Sequence, residues 1–139
     1  MIEFHYELDF KLADESKHII WIEEVLKSEE AEMSQLVYIF CTDEFLLAKN
    51  KQFLNHDTLT DIITFDYSAR RCISGDIFIS IERVRENSQK YNVRFEIELL
   101  RVMAHGVLHL LGFKDKTKEE STIMRAKENE KIKLFHVEQ

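Results

Sequence analysis

Residues 95–112 read Phe95-Glu-Ile-Glu-Leu-Leu-Arg-Val-Met-Ala-His105-Gly-Val-Leu-His109-Leu-Leu-Gly112. Apolar side chains occur on almost every face of this stretch when it is wound as a helix: Phe95, Leu99, Val102, Met103, Ala104, Val107, Leu108, Leu110 and Leu111. A helix that is apolar nearly all round is a buried one. The stretch therefore predicts a central helix over 95–111, with Gly112 at the position just past its end, where glycine takes the left-handed conformation.

Working outward, Thr117-Lys118-Glu119-Glu120 has the form of a capping box and predicts a last helix over about 118–134. Upstream, Ser80 can cap a helix over 81–91. Residues 61–66 and 73–79 are rich in β-branched and aromatic side chains and read as strands. The short polar connection between them, residues 67–72, predicts a hairpin. Leu36 to Cys41 is a continuous apolar run, as expected of a buried strand. Thr42 then caps a short helix carrying Phe45, Leu46 and Leu47. Asp14 is placed to cap a helix over 14–28, and Ile2 to Tyr6 alternates as a strand. The order β-α-β-α-β-β-α-α-α predicts an α+β fold, a small mixed four-stranded sheet covered by helices. No linker, repeat or low-complexity tract interrupts it, so one domain over 1–139 is expected.

Composition narrows the class. The chain has 139 residues, no proline, three glycines and two cysteines, with 45% hydrophobic residues. Average usage would give roughly 7 prolines and 10 glycines. The apolar content excludes a disordered chain. Two cysteines cannot make a disulfide scaffold, and Cys41 and Cys72 read as reduced thiols. No apolar run approaches the roughly 20 residues that span a bilayer. No basic-then-apolar leader opens the chain, so a cytoplasmic location is expected.

The net charge of -7 argues against a generic nucleic-acid binder, but the charge is uneven. Residues 1–67 carry -10, residues 68–118 carry +4 and residues 119–139 carry -1. The basic third, which includes Arg70, Arg71, Arg83 and Arg101, reads either as solvated helix faces or as a phosphate-facing surface.

The buried helix carries the chemistry. His105 and His109 stand at i, i+4 and project from one face. Two imidazoles so placed can bind one metal ion. Gly112 stops the helix, and Asp115 follows three residues later, in reach of the same ion. The pattern His105-x3-His109-x2-Gly112-x2-Asp115 supplies three N/O ligands and leaves a position open for water. One divalent ion is expected, with Zn2+ the best match and Ni2+ or Mn2+ possible by ligand type. The alternative is a pair of satisfied core histidines, with Asp115 a turn residue. A peptidase is a second alternative, because the spacing matches part of a zinc-protease signature. Those enzymes carry Glu directly after the first His as general base. Here that position is Gly106, which moves no proton and instead allows a close neighbour.

Three stretches together resemble one family. His105-Gly-Val-Leu-His-Leu-Leu-Gly-Phe113 is similar to the signature of the YbeY family of metal-dependent endoribonucleases. Thr60-Asp-Ile-Ile-Thr-Phe65 resembles the family's Thr-Asp-Val-Leu-Ser-Phe strand, and Gly75-Asp-Ile77 its Gly-Asp-Ile strand. They come in family order and spacing. The resemblance implies an α+β domain with a zincin-like core, a metal held by the two helix histidines and a third residue after the glycine, and hydrolysis of single-stranded RNA. It also implies a role in 3′-end maturation of small-subunit (16S) rRNA and in ribosome quality control, with the small subunit and assembly factors as partners and no membrane.

The chain departs from the family pattern in two respects. Asp115 stands where most members have a third His, and Lys114 where they have Asp. Many members carry an Arg shortly before the Thr-Asp block, whereas residues 53–59 here contain none. Candidate catalytic groups are therefore Asp61, at the start of a strand, and Arg70 or Arg71 on the hairpin as phosphate contacts. For Asp61, and for Asp66 at the other end of that strand, a cap or loop brace is the first reading. A non-catalytic, metal-containing ribosome-assembly factor is the further alternative.

Overall fold

A computed structural model describes residues 1–54 and 60–137. The elements follow the expected order: β1 (Ile2–Tyr6), α1 (Glu15–Ser28), β2 (Glu32–Cys41), α2 (Asp43–Leu54), β3 (Ile62–Asp66), β4 (Cys72–Ser80), α3 (Ile81–Lys90), α4 (Phe95–Leu110) and α5 (Lys118–Val137). The strands form one mixed sheet in the order β1-β2-β4-β3. β1 and β4 each run parallel to β2, and β3 pairs antiparallel with β4 as the expected hairpin. Residues 55–59, most of the stretch where a family-type Arg would stand, lie outside the described residues.

Local chemistry sets the element ends. Asp14 accepts a hydrogen bond from Lys17 N at 3.1 Å and starts α1. Thr42 Oγ1 accepts from Phe45 N at 3.1 Å, and Ser80 Oγ accepts from Arg83 N at 3.2 Å. The capping box of α5 is reciprocal, with Glu120 N donating to Thr117 Oγ1 and Thr117 N to Glu120 Oε1, both at 3.0 Å. At the end of α4, Gly112 has φ +105°. Phe113 N donates to Leu108 O and Gly112 N to His109 O, both at 3.0 Å, which is the paired closure of a Schellman motif. This closure turns the chain back over the helix and brings Asp115 towards the histidines.

Two elements run longer than their apolar signal. β2 begins at Glu32, not Leu36: Glu32 and Met33 pair with Cys72 and Ile73, although Glu32, Ser34 and Gln35 are polar and exposed. The register shifts between Met33 and Leu36, so this segment lacks regular alternation. α2 extends to Leu54 through a polar stretch that shows little helical patterning.

The core lies between one sheet face and helices α1, α4 and α5. Leu36, Tyr38 and Phe40 of β2 and Ile73, Ile77 and Ile79 of β4 pack with Trp21, Ile22 and Val25 of α1 and with Leu99, Met103 and Val107 of α4. Burial of each such aliphatic side chain is worth about 2 kcal/mol. Polar tips are satisfied across layers: Tyr38 OH donates to Met103 O at 3.0 Å, and Trp21 Nε1 donates to Lys131 O at 2.7 Å. A smaller cluster of Cys41, Leu46 and Ile63 seats α2 on the other face. Cys41 and Cys72 are both free thiols.

The close neighbour that Gly106 admits is the sheet. A Cβ there would lie 3.0 Å from Ile77 Cδ1 and Cγ2 and 3.1 Å from Ile62 Cδ1. Gly106→Val adds two further methyls to that contact. Overpacking of this kind costs about 3 kcal/mol, and thermal unfolding of the variant is expected about 10 °C below the parent.

Candidate functional site

α4 packs against β3, β4, α3 and α5, so its histidine face opens between the two flanking helices. A cleft of about 440 Å³ lies there, lined by Thr60, Asp61, Ile62 and Thr64 beside and along β3, by Asn87 and Tyr91 at the end of α3, and by Glu98, Arg101, Val102, His105 and His109 of α4. Asp115 and the first half of α5, through Ser121, Met124, Arg125 and Glu128, complete it.

His105 is the centre of the cleft's polar contacts. Its Nδ1 lies 2.7 Å from Glu128 Oε2. An ionised carboxylate only accepts, so Nδ1 carries the proton and donates. Nε2 faces Asp115 Oδ2 at 3.3 Å. His109 lies one turn on and is exposed, with its ring centroid 6.3 Å from that of His105. The structure thus brings all three sequence-expected ligands to one cleft. His105 and Asp115 are in contact, and His109 stands beside them. Among the described residues no three His, Cys, Asp or Glu side chains are already closed into a metal-binding cluster.

The donor chemistry nonetheless fits a divalent ion. Two imidazoles and a carboxylate suit zinc-like metals. A ligating His characteristically gives its second ring N–H to a carboxylate, which fixes the tautomer and frees the other nitrogen. Glu128 does this for His105, and it is a residue that sequence reasoning did not find. It lies 23 residues away on another helix, and no local pattern marks it.

Glu128 is itself held. Its Oε1 takes Arg101 Nη1 at 3.3 Å, and Arg101 Nε lies 3.9 Å from Glu98 Oε1. Glu98 and Glu128 are buried. Burial pushes the Glu98 carboxyl above its usual range, against the pull of Arg101. For His105, burial pushes the imidazole down, but the bond to Glu128 and the charges of Glu128, Asp115 and Asp61 outweigh it, and the net shift is upward. Asp61 stands in the cleft wall. Burial raises its carboxyl, with His105 pulling the other way.

The hairpin arginines are not in the cleft. Arg71 donates to the backbone oxygens of Glu29 and Glu30 and so closes the end of α1. Arg70 occupies the turn at φ 57°. Two arginines of the basic third are paired with acids from elsewhere: Arg83 meets Asp43 at 2.8 Å, and Arg101 meets Glu128 at 3.3 Å. Arg101 and Glu98 carried a readable signal, because they share the histidine stripe at four and seven residues before His105.

The helix that carries Glu128 is latched to α1. Lys131 is buried, and its Nζ donates to Glu29 Oε2 at 2.6 Å and Ser28 Oγ at 2.9 Å; Lys127 Nζ reaches the same Glu29 oxygen at 2.8 Å. Burial alone would raise Glu29, but the two lysines hold its carboxyl below the usual range. A folded-state pKa below the unfolded value means stability that is present above the unfolded pKa and lost as pH falls through the folded one. Glu29→Gln is therefore expected to lower Tm at pH 7, with the gap from the parent closing below about pH 4. A pH series of melting curves checks this.

An α+β fold that presents a His-x3-His helix, with a carboxylate behind one imidazole and another in front, defines a class of proteins built around a polar cleft at that helix. The family model described as Endoribonuclease YbeY matches residues 4–136, and the chain belongs to that family. It is 55% identical over 139 residues to a Flavobacterium psychrophilum protein named Endoribonuclease YbeY, covering 100% of this chain and 99% of the relative. The like-named protein of Flavobacterium johnsoniae is 53% identical, with 100% of both chains covered. The solution structure of TM1509 from Thermotoga maritima superposes with a TM-score of 0.74 at 30% identity, covering 99% of this chain and 91% of that one. No described helix is long and apolar enough to cross a membrane.

Proposed function

We propose that this protein is a metal-dependent endoribonuclease that cuts single-stranded RNA, acting in 3′-end maturation of small-subunit rRNA and in ribosome quality control in the cytoplasm. The observation that carries the reading is the His105 arrangement, with one ring nitrogen bound to Glu128 and the other turned to Asp115. His105, His109 and Asp115 would hold one divalent ion, with Zn2+ the first candidate and Ni2+ or Mn2+ acceptable to the same donors. When bound, the ion would supply Lewis acidity and lower the pKa of water.

The chain's own residues do the rest. Glu128 keeps the proton on His105 Nδ1 and fixes the ring plane. Arg101 holds Glu128 in place. Asp61, raised by burial, is the candidate to take a proton from the attacking water. Thr64, on the cleft wall, offers a hydroxyl to the backbone of the bound strand. Arg70 and Arg71 have no part in this account.

The test is a comparison of substrates on the purified full chain. Cleavage is expected for single-stranded rRNA fragments and not for duplex RNA or casein, and it is expected to stop on chelation. A protein that carries stoichiometric metal yet leaves every RNA intact is a non-catalytic assembly factor. His109-dependent cleavage of casein would make it a peptidase.

A further inference from the structure

Two cleft residues are left uncommitted by the metal site. Tyr91, just past the end of α3, lines the cleft yet is 57% exposed. A large aromatic left uncovered in a polar cleft has a free face on which a planar group can stack. Lys90 Nζ lies 5.4 Å from its ring centroid, so one cation already attends it.

Arg125 is the second. The described cations lining the cleft are Arg101 and Arg125, and they differ in kind. The Arg101 side chain is 17% exposed and is spent on Glu98 and Glu128. The Arg125 side chain is 61% exposed, and its ion pair is a long 3.8 Å approach to Glu128 Oε1, an oxygen that Arg101 already holds at 3.3 Å. Its guanidinium therefore retains donors directed at no protein group, in the planar fork that matches phosphate. α4 packs against both α3 and α5, which sets Tyr91 and Arg125 on either side of the histidine helix.

We propose that Tyr91 and Arg125 form a two-point grip on the RNA strand, Tyr91 stacking one base and Arg125 binding a backbone phosphate across the histidine pair. This rests on the endoribonuclease reading and specifies how that site selects its substrate. A base stacks on Tyr91 only when it is unpaired, so the grip admits single strands and rejects duplex. The backbone contact carries no sequence information, so selectivity is for strandedness and not for sequence.

Binding of a short fluorescent single-stranded RNA to the full chain in the presence of a chelator, followed by anisotropy across a salt series, tests the grip. Tyr91→Leu is expected to weaken Kd about 10-fold with the salt slope unchanged, whereas Tyr91→Phe keeps parent affinity. Arg125→Gln is expected to weaken Kd by a similar factor and to lower the salt slope by about 0.7, the loss of one phosphate contact. In turnover, the Leu and Gln variants are expected to raise KM more than they lower kcat. Variants that bind within two-fold of the parent overturn the grip while leaving the endoribonuclease reading intact. Equal loss in Tyr91→Phe and Tyr91→Leu overturns stacking, because the ring is then not the contact. A parent chain that neither binds nor cuts single-stranded RNA overturns both.

Discussion

His109→Ala is expected to lower cleavage of single-stranded RNA by at least about 100-fold while leaving Tm within a degree or two of the parent. The magnitude follows from a comparison: removing a residue that merely orients a metal ligand costs 10–100-fold in affinity or activity, so removing a ligand costs at least the top of that range. The unchanged stability follows from exposure. His109 lies at the open side of α4, outside the packed core, and exposed substitutions away from special features shift stability by less than about 0.5 kcal/mol. A His109 with no part in the site would leave cleavage unchanged as well. His105→Ala is a blunter probe, because it also strips Glu128 of its 2.7 Å partner and disturbs a buried polar group.

Arg101→Met carries the largest expected cost in stability. The guanidinium stands between Glu98 and Glu128, both buried, and it is the nearest arginine to each. Breaking a buried pair from one side leaves uncompensated charge and costs about 3–5 kcal/mol. A loss of about 3 kcal/mol lowers Tm by roughly 10 °C in a chain of this size. Activity is expected to fall as well, by about 10-fold or more, because Glu128 loses the contact that holds it against His105. The double change Arg101→Met, Glu98→Gln should recover part of the stability, since neutralising Glu98 removes one orphaned charge. Melting curves and RNA cleavage on the two variants separate the terms. A single variant as stable as the parent would show that the Arg101 contacts contribute nothing net.

These expectations also mark what the sequence could disclose. The element order and the two-histidine stripe were legible because they rest on local signals, such as the apolar circumference of 95–111, the stop at Gly112 and the capping box at Thr117. The beginning of β2 was not legible, because Glu32, Ser34 and Gln35 are polar and the register shift between Met33 and Leu36 breaks the alternation. The hairpin arginines were visible as charge, but charge carries no direction. Arg71 turned out to close the end of α1 rather than face the cleft. Glu128 was beyond reach for the same reason that it matters. Its contact with His105 exists only once α5 has docked across α4, and α5 is also held to α1 by Trp21 and Glu29, which lie more than a hundred residues before their partner Lys131. Glu98 and Arg101 lay within reach, as charged residues on a stripe that is otherwise apolar, and such residues invite a search for buried partners.

The most direct test of the central claim is a paired measurement on single preparations of the parent chain and of His105→Ala, His109→Ala and Asp115→Ala. Bound divalent metal and single-stranded RNA cleavage are read from the same sample, before and after chelation and re-addition. About one ion per parent chain is expected, with loss of metal and activity together in all three variants and recovery of both only in the parent. Asp115→Ala with full metal and full activity would contradict the assigned ligand set. RNA cleavage by a parent chain that holds under about a tenth of an ion would contradict the metal-dependent reading itself.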